Sequence, residues 1–126
     1  MRRKFCFIFY CFCITLSWSQ EMATREYQFN WQKANGDQYD IGVKNNLTQP
    51  VEQKRLDRAC MQILLKAMLK SRDFESFVPE QFILNEDIEY NVAQLDFSYI
   101  DRNNEKQSRT FFYRFDYFGN VFNQIE

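Results

Sequence analysis

Histidine is absent from this chain. Its absence removes the commonest general base, the usual partner of a nucleophilic serine or cysteine, and the commonest zinc ligand. Glycine is scarce, with three residues (Gly36, Gly42 and Gly119) and no cluster. A phosphate-cradling loop or a dinucleotide-binding fingerprint needs several glycines in one short stretch, so neither is present. No internal repeat or low-complexity linker is visible. Long apolar runs are lacking too. The longest, Phe5 to Leu16, is about a dozen residues, short of the roughly 20 that span a bilayer.

That run has another use. Met1 to Lys4 is basic, the apolar stretch follows, and Ser17 and Ser19 are the small residues that a signal peptidase reads. Residues 1–19 are therefore expected to be a signal peptide cut between Ser19 and Gln20, with an uncleaved anchor as the alternative. Cys11 and Cys13 follow Tyr10 and Phe12, so no lipid-attachment pattern is present. The mature product would be exported, either periplasmic or secreted, with no transmembrane segment left after cleavage.

Cleavage would remove Cys6, Cys11 and Cys13, leaving Cys60 as the one mature thiol. A chain sent to an oxidising compartment without an internal disulfide must be held by its core. The same cut takes Arg2, Arg3 and Lys4 from sixteen basic residues and nothing from seventeen acidic ones, which leaves a net charge of −4. A mildly acidic domain argues against nucleic acid as partner. Residues 20–126 suffice for one core, and seventeen aromatics remain to fill it.

Thr48 to Ser71 reads as the one long helix. Thr48 suits an N-cap and Pro50 a first turn, while Lys66, Lys70 and Arg72 gather near the negative end of the dipole. Leu56, Cys60, Ile63, Leu64 and Ala67 form one apolar face, opposed by Lys54, Arg58, Gln62, Lys66 and Lys70. Met61, Leu65 and Leu69 point elsewhere, which implies a second covering layer: the N-terminal hairpin, the segment after the helix, or a partner subunit. Cys60 lies on the apolar face as a small core residue.

Before the helix, Glu21 to Arg25 is polar and expected to fray. Residues 26–32 and 38–44 alternate as strands of a hairpin around Asn35-Gly36. Asn46-Leu47-Thr48 fits the N-glycosylation pattern, although Thr48 already has a capping role. After the helix, Phe74, Phe77 and Val78 suggest a short helical turn ended by Pro79, then a strand at 81–84. Ile88, Tyr90 and Val92 alternate out of phase with Leu95, Phe97 and Tyr99, which predicts a β-bulge near Ala93-Gln94. Phe111, Tyr113, Phe115 and Tyr117 form the next apolar face, with Phe97 opposite Phe111 and Leu95 opposite Tyr113. Gly119-Asn120 suits a two-residue hairpin before a last strand at 121–125.

The fold class that follows is α+β: an N-terminal hairpin, one long helix, and a curved antiparallel meander packed on it. In element order, residues 26–125 resemble the cystatin-like and NTF2-like superfamilies, in which a curved sheet wraps a helix. No signature motif of either is matched, and the Gln-x-Val-x-Gly segment of protease-inhibiting cystatins is missing, so no functional residue is carried over. Phe115 to Asn120 also resembles hairpin turns common in exported bacterial repeat proteins.

Four constellations could carry function. Residues 74–101 hold seven carboxylates and no Lys or Arg, which reads as a solvated face or as an acid–base or calcium pair, though the spacing and glycine of a calcium loop are missing. Lys54, Arg58, Lys66 and Lys70 read as a wet helix face, or as a contact for an acidic partner or anionic lipid. Phe112, Phe118 and Val121 are expected on the face away from the helix as a contact patch. Tyr99, Tyr113 and Tyr117 belong to the core, or supply the polar groups of a ligand pocket.

The expected function is a small exported, non-enzymatic binding module for an unknown protein or small apolar ligand, using a curved sheet face or a shallow pocket. No cofactor or metal is expected. The alternatives are a metal-free cavity enzyme of the NTF2-like sort, using carboxylate and tyrosine chemistry, and a homodimeric scaffold.

Overall fold

The computed structural model describes residues 21–71 and 75–125. Strands β1 (Glu26–Gln32) and β2 (Gln38–Asn45) precede the one helix among the described residues, α1 (Gln53–Ser71). Four strands follow: β3 (Val78–Glu86), β4 (Asn91–Ile100), β5 (Lys106–Phe115) and β6 (Val121–Ile125). All six strands lie in one sheet in chain order. Neighbours are antiparallel except β2 and β3, which run parallel. Parallel neighbours need a long crossover, and α1 supplies it. The expected order of hairpin, helix and meander is the one the chain adopts.

The sheet bends around the helix. Six flat strands would span about 24 Å at the usual spacing, more than twice the width of a helix. Yet α1 touches β1 at one edge and β6 at the other. Only a sheet curled over the helix allows both contacts, so the inner face is concave. Onto that face β1 sends Phe29 and Trp31, β2 Ile41 and Val43, and β3 Phe82 and Leu84. From β4 and β5 come Leu95, Phe97, Phe111, Tyr113 and Phe115, and α1 meets them with Leu56, Ala59, Cys60, Ile63, Leu64 and Ala67. Phe77 is wedged between Trp31 (6.0 Å between ring centroids) and Phe97 (4.9 Å). Cys60 is wholly enclosed, and burial pushes its thiol pKa up, so it behaves as a core residue.

Three hairpin turns share one closure. Lys33, Asp101 and Asp116 each accept a backbone hydrogen bond from the residue three positions on, and each donates to the carbonyl four positions on. The fourth residue of each turn, Gly36, Asn104 or Gly119, has positive φ. This is the three-residue loop that ends on a left-handed residue. Asp101 and Asp116 reinforce it with a carboxylate oxygen that accepts two backbone N–H groups of the turn. The β5–β6 connection is thus longer than the two-residue hairpin expected from Gly119-Asn120.

Several other expectations are corrected. The helix starts at Gln53 rather than beside Thr48, because Thr48 is drawn away: its hydroxyl donates to the Glu86 carboxylate at 2.7 Å and its N–H does likewise at 2.7 Å. The helix is instead opened by the Glu52 carbonyl, which accepts from Arg55 and Leu56. Glu21 to Arg25 is not frayed. Ala23 donates to Val51, Gln53 donates to Glu21, and Asn45 donates to Arg25.

Pro79 lies inside β3 and ends no helix. Pairing with β2 begins only at Gln81, so the missing N–H of Pro79 falls where that side is open. The bulge expected at Ala93-Gln94 is absent, and β4 pairs with β5 without interruption. Ile88 and Tyr90 belong to a turn, which removes the phase conflict; the register shifts fall instead at Pro79/Gln81 and Tyr113/Phe115. Leu95 faces Phe111 and Ala93 faces Tyr113, two residues from the expected register. A slip of two preserves the inward face, which explains why the core was still recognisable.

Gly119 locks the β5–β6 turn against the helix. An added Cβ would lie 2.2 Å from the Arg55 carbonyl oxygen, at φ +85°, whereas Gly36 at φ +100° has open space around it. Gly119→Ala is expected to cost about 2–4 kcal/mol and Gly36→Ala only about 1 kcal/mol. Equal midpoint shifts for the two variants in urea unfolding would reject this account of the turn.

Candidate functional site

The helix is a complete second layer for the sheet, but nothing among the described residues covers its outer side. Met61, Leu65 and Leu69 are 39%, 46% and 63% exposed. They follow one another at steps of four and so form one apolar stripe along the C-terminal half of α1. The second layer expected over them is not found among the described residues. Lys54, Arg58, Lys66 and Lys70 flank the stripe and are all exposed. Lys70 is also tied down, donating to the Gln124 side chain and lying 5.5 Å from the Phe111 ring centroid. The helix carries five basic residues and one acidic one, in a chain whose net charge is −1. Its outer face is a positive island on an otherwise acidic surface.

The stripe runs into a groove. Leu65 and Met68 form one wall, and Trp31 to Asn35, at the β1–β2 turn, form the other; Glu75 closes the end. The cavity measures about 370 Å³, at the small end of ligand-sized pockets. Trp31 is the deep element, 5% exposed and packed edge-on against Phe77. The groove follows from the local sequence: alternation along β1 sends Trp31 inward, and the tight turn at Gly36 ends the sheet beside the last turns of α1.

Two charged residues line this groove, Lys33 and Glu75. Lys33 is 6% exposed, and its ammonium donates to the Glu75 carbonyl at 2.8 Å while lying 5.3 Å from the Tyr39 ring centroid. No carboxylate among the described residues forms an ion pair with it. A lysine carries three donors, and among the described residues this one has a single acceptor, the Glu75 carbonyl, and no ion pair. No local signal marks this residue, because a lysine beside Asn35-Gly36 reads as an ordinary turn residue.

The other sequence-selected residues are dispersed. Phe112 lies on the outer sheet face, 39% exposed. Val121 does not join it: it pairs with Phe115, packs on the core and donates its N–H to Gln62. Phe118 sits at the helix N-terminal half, where the Arg55 guanidinium lies 5.1 Å from its ring and 4.9 Å from that of Tyr117. Tyr113 is in the core, Tyr99 is half-buried with Arg109 5.6 Å from its ring, and Tyr117 is on the β5–β6 turn, so the three share no pocket. Phe112 pairs with Gln94 and Ile125 instead, and the exposed Tyr90 and Phe122 form a separate ring pair 5.4 Å apart. Ser19 and Gln20 lie outside the described residues.

Four of the seven carboxylates of residues 74–101, Glu86, Asp87, Asp96 and Asp101, are engaged in structural bonds. The Thr48 hydroxyl and N–H, with the Gln49 N–H, hold Glu86 below the usual carboxylate range. Burial pushes Asp96 up, but hydrogen bonds from Gln81, Thr110 and Gln94 outweigh it and leave the group low. The Glu105 N–H and Gln107 side chain hold Asp101 low as well. A general acid needs a raised carboxyl pKa, and these three are shifted the other way. Among the described residues, no group of three or more Cys, Asp and Glu stands close enough to hold a metal ion. No helix among them is long and apolar enough to cross a membrane.

The Tyr113 hydroxyl is buried without a hydrogen-bond partner, and desolvation pushes its pKa from 10.0 up to about 12. Below pH 10 the residue is neutral in both states and adds no pH dependence. Between pH 10 and 12 the unfolded chain gives up the proton and the folded chain keeps it, so stability falls as pH rises. Tyr113→Phe is therefore expected to be neutral or stabilising by up to about 1 kcal/mol at pH 7 and to flatten the alkaline decline. A loss of stability at pH 7 on chemical denaturation would show that the hydroxyl has a partner after all.

Comparison of the chain with protein-family models, with curated protein sequences and with solved structures found no match in any of the three.

Proposed function

We propose that the chain is a small exported, non-enzymatic binding module, and that the groove between the β1–β2 turn and α1 is where it binds. One observation carries the reading: an apolar stripe on α1 opens into an apolar cavity beside a buried tryptophan. Exposed large apolar residues that are contiguous, and next to a cavity, mark contact sites more often than isolated ones do. The core beneath the helix is filled, which favours recognition at the surface over chemistry in an enclosed pocket. Export rests on the basic start, the short apolar run and the small residues at Ser17 and Ser19. The helix held in a curled sheet also fits the resemblance to cystatin-like and NTF2-like architecture.

Two measurements test this. Intact mass of the product from its native host is expected to give a chain beginning at Gln20; a chain retaining Met1 to Ser19 would reject export by cleavage. A photoreactive benzoylphenylalanine at Leu65 is expected to crosslink a discrete species in that host, whereas the same group at Thr110, on the opposite sheet face, is not. Equal labelling from both positions, or none from Leu65, would reject the groove as the binding site.

A further inference from the structure

We infer that the groove's partner is an acidic, amphipathic segment of another protein, which seats apolar side chains along Met61, Leu65 and Leu69 and brings a carboxylate to Lys33. The inference rests on the preceding reading of the groove and names its occupant. Two independent charge observations support it. The outer face of α1 is basic in a chain that is acidic elsewhere, with Lys54, Arg58, Lys66 and Lys70 bordering the stripe. Lys33 stands in the groove wall, 6% exposed and bonded to the Glu75 backbone carbonyl; among the described residues it ion-pairs with no carboxylate, that of Glu75 included.

An enclosed ammonium lacking its counter-ion is costly, and an incoming carboxylate relieves that cost while the apolar contacts exclude water. The spacing of the stripe suits a helix laid in a groove, with anchors at steps of three and four.

The same charges disfavour the other occupants. Two copies packed through α1 would place Lys54 and Arg58 of one against Lys66 and Lys70 of the other in an antiparallel pair, or like upon like in a parallel one. A bilayer is broad and flat, whereas the groove is walled by the β1–β2 turn and its tryptophan is 5% exposed. A flexible peptide side chain reaches that depth.

The test selects random displayed peptides of about sixteen residues, long enough for about four helical turns, on the immobilised protein. Enriched sequences are expected to show an excess of Asp and Glu and apolar residues at helical spacing. A synthesised winner should bind at least about tenfold more weakly to Leu65→Glu, to the double variant Lys66→Glu/Lys70→Glu, and to Lys33→Met. Its affinity should also fall several-fold as salt rises. Leu65, Lys66 and Lys70 are exposed, so those variants are expected to keep the wild-type melting temperature even if Lys33→Met does not.

Selection of neutral or basic peptides, or no enrichment, would overturn the inference, as would affinity indifferent to Leu65→Glu. In parallel, vesicles of phosphatidylcholine and phosphatidylserine, and light scattering of the protein alone, examine the rivals. Vesicle binding or dimerisation that Leu65→Glu abolishes would assign the face to a membrane or to a second copy and reject the acidic segment. Crosslinking from Leu65 without any acidic selection would leave the binding reading standing and remove only this one.

Discussion

Among the described residues a single helix serves as the second layer for a six-stranded sheet, and the rest of their structure answers to that constraint. Flat, the sheet would leave half its inner aromatics in water. It curls instead, until β1 and β6 both rest on α1. The curl is fixed at each edge by side chains rather than by further elements. On one edge Trp31 meets Phe77. On the other, the β5–β6 turn lies against the helix backbone at Gly119, and Gln62 bonds both the Gly119 carbonyl and the Val121 N–H. A helix gripped from both sides still has a third side, and that side is where the apolar stripe is left.

Much of this could be read from residue order, and the failures have physical causes. Period-two alternation placed β1, β2, the inward face of β4 and β5, and β6. The apolar stripe from Leu56 to Ala67 placed the helix and its buried face. What failed depended on partners far along the chain. Thr48 looks like a cap to any local rule, yet Glu86, thirty-eight positions on, claims it. Ile88 and Tyr90 continue an alternation that the chain has already left for a turn. The register of β4 on β5 slipped by two because aromatic pairing is nearly as good in either setting.

The candidate site was legible in halves. The sequence marked Met61, Leu65 and Leu69 as out of place on a one-faced helix, and it marked the basic ladder beside them. It could not show that Trp31 and Met68 face one cavity, because those residues meet only when β1 runs along the helix. Nor could it show Lys33 going inward, since the Glu75 carbonyl that accepts its proton is forty-two positions away. The grouping of Phe112, Phe118 and Val121 assumed a short last hairpin. The longer turn carries Phe118 and Val121 to the helix side and leaves Phe112 apart from both on the outer sheet face.

The parallel seam between β2 and β3 has a kinetic meaning. Each other strand pair is a local hairpin that can form on its own, but this pair closes the helix and both its connectors into one large loop. Loop-closure entropy makes such a contact late. The two hairpin blocks would therefore exist first as separate pieces, and docking of α1 would join them into one cooperative unit. Until that join is made neither block has its full hydrophobic cover, so the chain's cooperativity is set by the one strand pairing whose partners are farthest apart in sequence.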